Sequence, residues 1–126
     1  MADINVTMTV DTVKLQGTGG TPANSCILSD DNGDTPGGET FEIDATSGQT
    51  VQFTITAKDN TTAVSFVDFI YEGGISTVFN PLPSLSNNWT GTATGTVGQS
   101  ESYYIDFNVA GTQYRLDPQI QIKSGG

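Results

Sequence analysis

Histidine is absent from this chain of 126 residues, and cysteine occurs once, as Cys26. The first absence removes the usual general base near neutral pH, the Ser–His and Cys–His nucleophile pairs, and the commonest transition-metal ligand. The second excludes an intramolecular disulfide. Cys26 also has no basic neighbour in sequence to lower its pKa, so it reads as a core residue. Cations are scarce too: four Lys and Arg stand against fourteen Asp and Glu, for a net charge of −10 and a pI near 4.1. Phosphate backbones and anionic lipid surfaces are bound by clustered Lys and Arg, so neither nucleic acid nor membrane is an expected partner. No apolar run approaches the roughly 20 residues that span a bilayer. The segment from Met1 to Thr7 lacks the basic and apolar regions of a secretory signal. The expected location is therefore the cytoplasm, with non-classical export as the other route.

What the chain has in place of charge is threonine, glycine, asparagine and serine. Charged residues make up 14%, where about 25% is usual. The length suits a single domain, 1–126, with one two-layer core. Alanine and leucine are sparse, and no stretch of ten residues carries a helical period. Alternation dominates instead. Ile4, Val6, Met8 and Val10 fall on one side of a strand, which Val13 and Leu15 extend past a bulge. Gln16 to Asn24 reads as loop, and Ser25 to Leu28 as a short strand. Phe41 and Ile43 form another, ending at Ser47-Gly48. Val51, Phe53, Ile55 and Ala57 make a third, closed by a turn at Lys58-Asp59-Asn60. The dense run from Ala63 to Tyr71 suits a central strand covered on both faces, or one whose bulge swaps faces. Gly73-Gly74 breaks it, and Ile75 to Phe79 reads as a short strand before Pro81 and Pro83. In the last quarter Tyr103, Ile105, Phe107 and Val109 alternate with polar residues as a central strand, followed by returns through Tyr114 and through Ile120 and Ile122. A side-chain period of two with one wet face predicts an all-β, antiparallel two-sheet sandwich, Ig-like, of about eight strands.

Candidate chemistry is thin. Asp30, Asn32 and Asp34 occupy the first, third and fifth places of an EF-hand loop, and Glu39 supplies a further carboxylate; alternating oxygens of this kind suit Ca²⁺. Thr35 stands where the loop wants glycine, Phe41 where it wants glutamate, and flanking helices are lacking. The plain alternative is a solvated acidic turn around Asn32-Gly33. Trp89 and Tyr104 are candidates for stacking on a sugar face, against a core role for the single tryptophan. Asn5, Asn60 and Asn88 each open an N-glycosylation acceptor pattern that a threonine-rich chain produces by chance. A carboxylate pair for glycoside hydrolysis needs a set spacing, and none of the fourteen acids is singled out.

Three ordered blocks resemble a known family. The first is Ile4-Asn5-Val6-Thr7-Met8-Thr9-Val10-Asp11-Thr12. The second is Gly48-Gln49-Thr50-Val51-Gln52-Phe53, with Val78-Phe79-Asn80-Pro81 downstream. The third is Tyr103 to Phe107 followed by Leu116-Asp117-Pro118-Gln119-Ile120. Together they resemble the bacterial inclusion-body proteins of the AidA/PixA type, and the chain looks like a short member of that family. The resemblance implies an all-β sandwich made in the bacterial cytoplasm, with no enzymatic activity to carry over. Asp117, Pro118 and Ile120 then form a structural corner: Pro118 holds Asp117 extended, and Ile120 returns to the core. Two functions are expected from these readings. One is a non-enzymatic structural protein whose partner is itself. The alternative is a lectin-like or Ca²⁺-dependent binding module, with carbohydrate as partner. No cofactor is expected apart from Ca²⁺ in that second case.

Overall fold

The computed structural model describes residues 2–38, 41–71 and 78–123. Two sheets face each other across one apolar core. The first contains β1 (Ile4–Val10), β2 (Cys26–Asp30), β4 (Thr50–Ala57) and β6 (Thr90–Thr92), in the order β2-β1-β4-β6. The second contains β3 (Glu42–Ala45), β5 (Val64–Tyr71), β7 (Ser100–Val109), β8 (Thr112–Leu116) and β9 (Gln119–Ile122), in the order β3-β9-β7-β5, with β8 also on β7. The nine strands among the described residues exceed the expected eight by one.

The expectation of antiparallel sheets needs correcting. β1 runs parallel to β4, with Ile4 opposite Val51 and Val10 opposite Ala57, and β3 runs parallel to β9, with Ile43 opposite Ile120. Alternation reports which face a side chain takes and is blind to strand direction. Both pairs therefore look the same in sequence as antiparallel neighbours. They arise because the chain leaves the first sheet after β2, lays β3 in the second, and returns for β4.

A second correction concerns Thr12 to Ser25. Val13 and Leu15 do not extend β1. They lie in a one-turn helix, α1 (Thr12–Gln16), whose N-cap Asp11 accepts from the Lys14 N–H. A second turn, α2 (Pro22–Ser25), starts on Thr21, which exchanges side-chain bonds with Asn24 in a capping box, with Pro22 in the first turn. That cap signature was present in the sequence; a helix of four residues is too short to show a period.

β5 carries the bulge that the dense apolar run allows. Its register against β7 shifts between Phe66 and Asp68. Val67 is left facing out at 40% exposure, while Phe66 and Phe69 both face the core. The strand is an edge of its sheet rather than a central one. β7 is central: β5 lies on one side, and β8 and then β9 on the other. Ala110 and Gly111, both at positive φ, turn β7 into β8, the conformation that matches the twist of a two-residue hairpin. Asp117-Pro118 lies between β8 and β9 without changing their register on β7, and the Pro118 carbonyl accepts from the Tyr103 N–H. Here the outer neighbour changes: β9 pairs onward with β3, with Ile120 buried against Ile43. The expected strand from Ile75 to Phe79 lies largely outside the described residues; Phe79 itself bridges Ala93.

Rings lock the layers. Phe53 of β4 lies 4.8 Å from Phe69 of β5 and 6.2 Å from Tyr103 of β7, centroid to centroid, and Phe79 lies 5.5 Å from Tyr103. Cys26 is buried, as expected, and burial pushes its thiol up to about 12. Gly91 on β6 has no room for a side chain. A Cβ there would clash with the Phe79 ring, and would come within 2.8 Å of the Pro83 ring and 2.9 Å of the Pro81 carbonyl. Gly91→Ala is expected to lower stability by about 1–3 kcal/mol, as overpacking does; the urea midpoint measures it, and an unchanged midpoint counts against this packing.

Candidate functional site

Three surface features gather the chemistry of this chain. The first is the acidic loop after β2. Asp30 Oδ1 accepts from the N–H groups of Asn32 (3.0 Å) and Asp34 (3.2 Å). Asp31 accepts from the backbone and side-chain N–H of Asn5, at 2.8 and 2.9 Å. The Asn32 amide donates to Asp34 Oδ2 (3.1 Å) and to the Asp44 carbonyl (2.7 Å), and both Asp34 oxygens lie 3.3 Å from the Asp44 N–H. These bonds clasp the edge strand of one sheet to the edge strand of the other. Beside the clasp is a cavity of about 230 Å³, lined by Gly33, Asp34, Thr35, Glu42 and Asp44.

Carboxylates crowd this cavity. Burial, followed by the neighbouring Asp30 carboxyl, lifts Asp34 to about 6. Burial and then Asp44 raise Glu42 above its ordinary value. The structure thus brings Asp30, Asn32 and Asp34 together, as the spacing predicts, but Asn32 presents its NH₂ donor to Asp34 and Asp44. Glu39 lies outside the described residues. Among the described residues no group of three or more His, Cys, Asp or Glu is arranged to hold a metal ion. Asp44 and Glu42 were missed in sequence because only the pairing of β3 at the sandwich edge brings them to the loop.

The second feature is a groove of about 510 Å³ between β4 and β5. Trp89 forms part of its wall, half-buried, with its ring 5.4 Å from Phe66 and 5.9 Å from Phe69. Asn88 and Trp89 are both at positive φ, a costly conformation for tryptophan. Two backbone bonds hold it: the Trp89 N–H donates to the Ser84 carbonyl at 2.7 Å, and the Trp89 carbonyl accepts from Phe53 at 2.9 Å. Gln52 donates to the Asn88 carbonyl at 3.1 Å, and Leu85 stands 78% exposed on the rim. Tyr104 is not part of this groove. It faces outward from β7, under the Arg115 guanidinium at 4.4 Å, and Arg115 in turn makes two bonds to the buried Asp106 carboxylate, at 2.6 and 3.0 Å.

The third feature is the opposite end of β1, where Lys14 and Lys58 line a cavity of about 440 Å³ with Asp11 and the exposed Ile27. Here Asp59 accepts from Thr61 and Thr62, backbone and side chain, and from buried Thr12. Those donors hold its carboxyl far below the usual range.

A family model described as a domain of unknown function, DUF8788, matches residues 2–115. The chain belongs to this family. No curated protein sequence matches it. Among solved structures, the inclusion body protein PixA from Burkholderia cenocepacia J2315 is similar, with a TM-score of 0.66 at 14% identity over 94% of this chain and 93% of that one. At that identity the likeness is one of fold, and it agrees with the resemblance carried by the three sequence blocks. The DUF8788 fold here contains no helix, among its described residues, long and apolar enough to cross a membrane.

Because Asp34 titrates higher in the fold than its ordinary value of 3.8, its protonated form is the one that folding favours. Its contribution is complete below pH 3.8 and is lost as pH rises through about 6. The low-lying carboxyls of Asp31 and Asp59 act only below that window. Between pH 7 and 5 the urea midpoint is therefore expected to rise, and to rise less in Asp34→Asn. Equal pH slopes in the two proteins would remove the assignment.

Proposed function

We propose that this protein is a non-enzymatic structural protein whose partner is a second copy of itself. The observation that carries this reading is where its large apolar side chains stand. Val13 (74%), Ile27 (56%), Val67 (40%), Leu85 (78%) and Val97 (60%) are exposed on a sandwich whose long edge strand β5 has no strand on its outer side among the described residues. Open edges and outward apolar groups are the features through which sandwiches associate. Support also comes from the fold shared with PixA, whose printed description is that of an inclusion body protein. Half of the fourteen acids, Asp3, Asp11, Asp30, Asp31, Asp34, Asp59 and Asp68, accept from backbone N–H groups of their own chain. Sedimentation velocity across a wide concentration range tests the reading. Growth of larger species with concentration is the expected result; a strict monomer up to millimolar protein overturns it.

A second reading, carbohydrate binding, is favoured by one observation: an aromatic ring beside amide groups in the 510 Å³ groove. Trp89 is the single tryptophan, so its fluorescence reports this groove alone. A saturable change with a panel of oligosaccharides supports the reading, and a flat response across the panel removes it. A Ca²⁺-dependent form of it would place the ion on Asp30, Asn32 and Asp34. Ca²⁺ at millimolar concentration should then raise the melting temperature through binding to the native state, and an unmoved melting temperature removes that form.

A further inference from the structure

The four cations of this chain are unevenly engaged. Arg115 is bound to Asp106, Lys123 lies 3.9 Å from Asp44, and Lys58 lies 3.7 Å from Asp11. Lys14 has no ion-pair partner among the described residues. Lys14 and Lys58, half of the positive charge of the molecule, share the 440 Å³ cavity at the α1 end of β1. Two exposed apolar residues stand beside them, Val13 and Ile27. The lining sets two lysines against one carboxylate, Asp11, and so keeps a local excess of positive charge beside apolar groups on a molecule of net charge −10.

At the other end of β1, Asn5 is tied to Asp31. Here the carboxylate-lined cavity of Asp34, Glu42 and Asp44 opens. A strand of seven residues separates the two ends by roughly 20 Å. Two copies of so acidic a protein repel each other in most orientations. An orientation that sets the lysine rim of one against the carboxylates of the next reverses that sign locally. The side chain of Lys14 is long and has no ion-pair partner among the described residues, and the acid-lined cavity of about 230 Å³ is of a size to admit it.

The geometry points to head-to-tail assembly, in which the Lys14–Lys58 cavity of one copy receives the Asp34–Glu42–Asp44 edge of the next. This rests on the self-association reading and gives it a contact. Because the two surfaces differ and lie at opposite ends, the contact is heterologous and each addition leaves a new end free. Such contacts grow into open chains unless the rotation closes a ring. The exposed Val13 and Ile27 give the ionic contact an apolar margin.

The experiment uses two neutralised variants of the full chain, Lys14→Gln/Lys58→Gln and Glu42→Gln/Asp44→Asn, with thermal melts to verify folding. If the second does not fold, Glu42→Gln alone replaces it. Wild type is expected to form large species at low ionic strength that dissolve in 1 M salt, where the screening length falls to about 3 Å. Each variant alone should associate at least roughly tenfold more weakly. Mixed in equal amounts, the two retain one intact contact and should stop at a heterodimer. If wild type assembles and the lysine variant assembles equally well, this contact is overturned while self-association stands. If each variant is monomeric but the mixture stays monomeric too, the lysine cavity does not take the acidic edge, and the head-to-tail contact is again overturned. If wild type never assembles, both readings fall.

Discussion

Four aromatic rings hold the two sheets of this protein in register. Phe53 from the first sheet is wedged among Phe69, Phe79 and Tyr103, and Phe69 stacks on Tyr103 within the second sheet. Aromatic pairs contribute about 0.5–1.5 kcal/mol each beyond the area they bury, and every ring here touches more than one other. The cluster accounts for local features that look unrelated. The bulge at Val67 exists so that Phe66 and Phe69 can both turn inward. Gly91 is small because Phe79 occupies the space above it. Trp89 accepts a left-handed backbone where its ring covers Phe66 and Phe69 from outside. The groove beside Trp89 is thus the outer margin of the core.

A second constraint is electrostatic. A chain with four cations cannot pair fourteen acids with charges of opposite sign. It uses backbone donors instead. Asp3, Asp11, Asp30, Asp31, Asp34, Asp59 and Asp68 each accept from a main-chain N–H. Such bonds cap α1, tie the loop after β2 to β1, and close the sandwich edge at Asp44. The acids therefore serve as fasteners in a protein without a disulfide, and the surplus negative charge left on the surface limits which faces of two copies can meet. Arg115, Lys123 and Lys58 are each turned to a carboxylate of their own chain, which leaves Lys14, among the described residues, without an ion-pair partner.

Much of the fold was legible because burial in a sheet writes a period of two into the chain. Ile4 to Val10, Val51 to Ala57 and Tyr103 to Val109 were readable as strands with their inward faces assigned; the Ala63 to Tyr71 run allowed a central strand or a bulge, and the structure has the bulge, on an edge strand. The turn at Thr12 to Ser25 was misread in part. Val13 and Leu15 alternate like a strand, and what sets them apart is the Asp11 cap, a hydrogen bond that alternation does not encode. Of the candidate ligands, Asp30, Asn32 and Asp34 are neighbours in sequence and stayed neighbours in space. Trp89 and Tyr104 did not come together, since one lies at the open margin between the layers and the other on the outer face of β7.

Composition and alternation alone determined that this is a mostly β, acidic chain with one core, without histidine chemistry or disulfides, and with its inward residues already marked. Those properties depend on each residue and its near neighbours. Tertiary structure alone decided that β1 and β4, and β3 and β9, run parallel, and that β5 lies at an edge. It also decided that Asp34 meets Asp44, and that Lys14 and Lys58 share a cavity far from the acidic loop. Each of these is a long-range pairing, settled by how two sheets close over one aromatic core, and side-chain periodicity carries no record of strand direction or of which segments become neighbours.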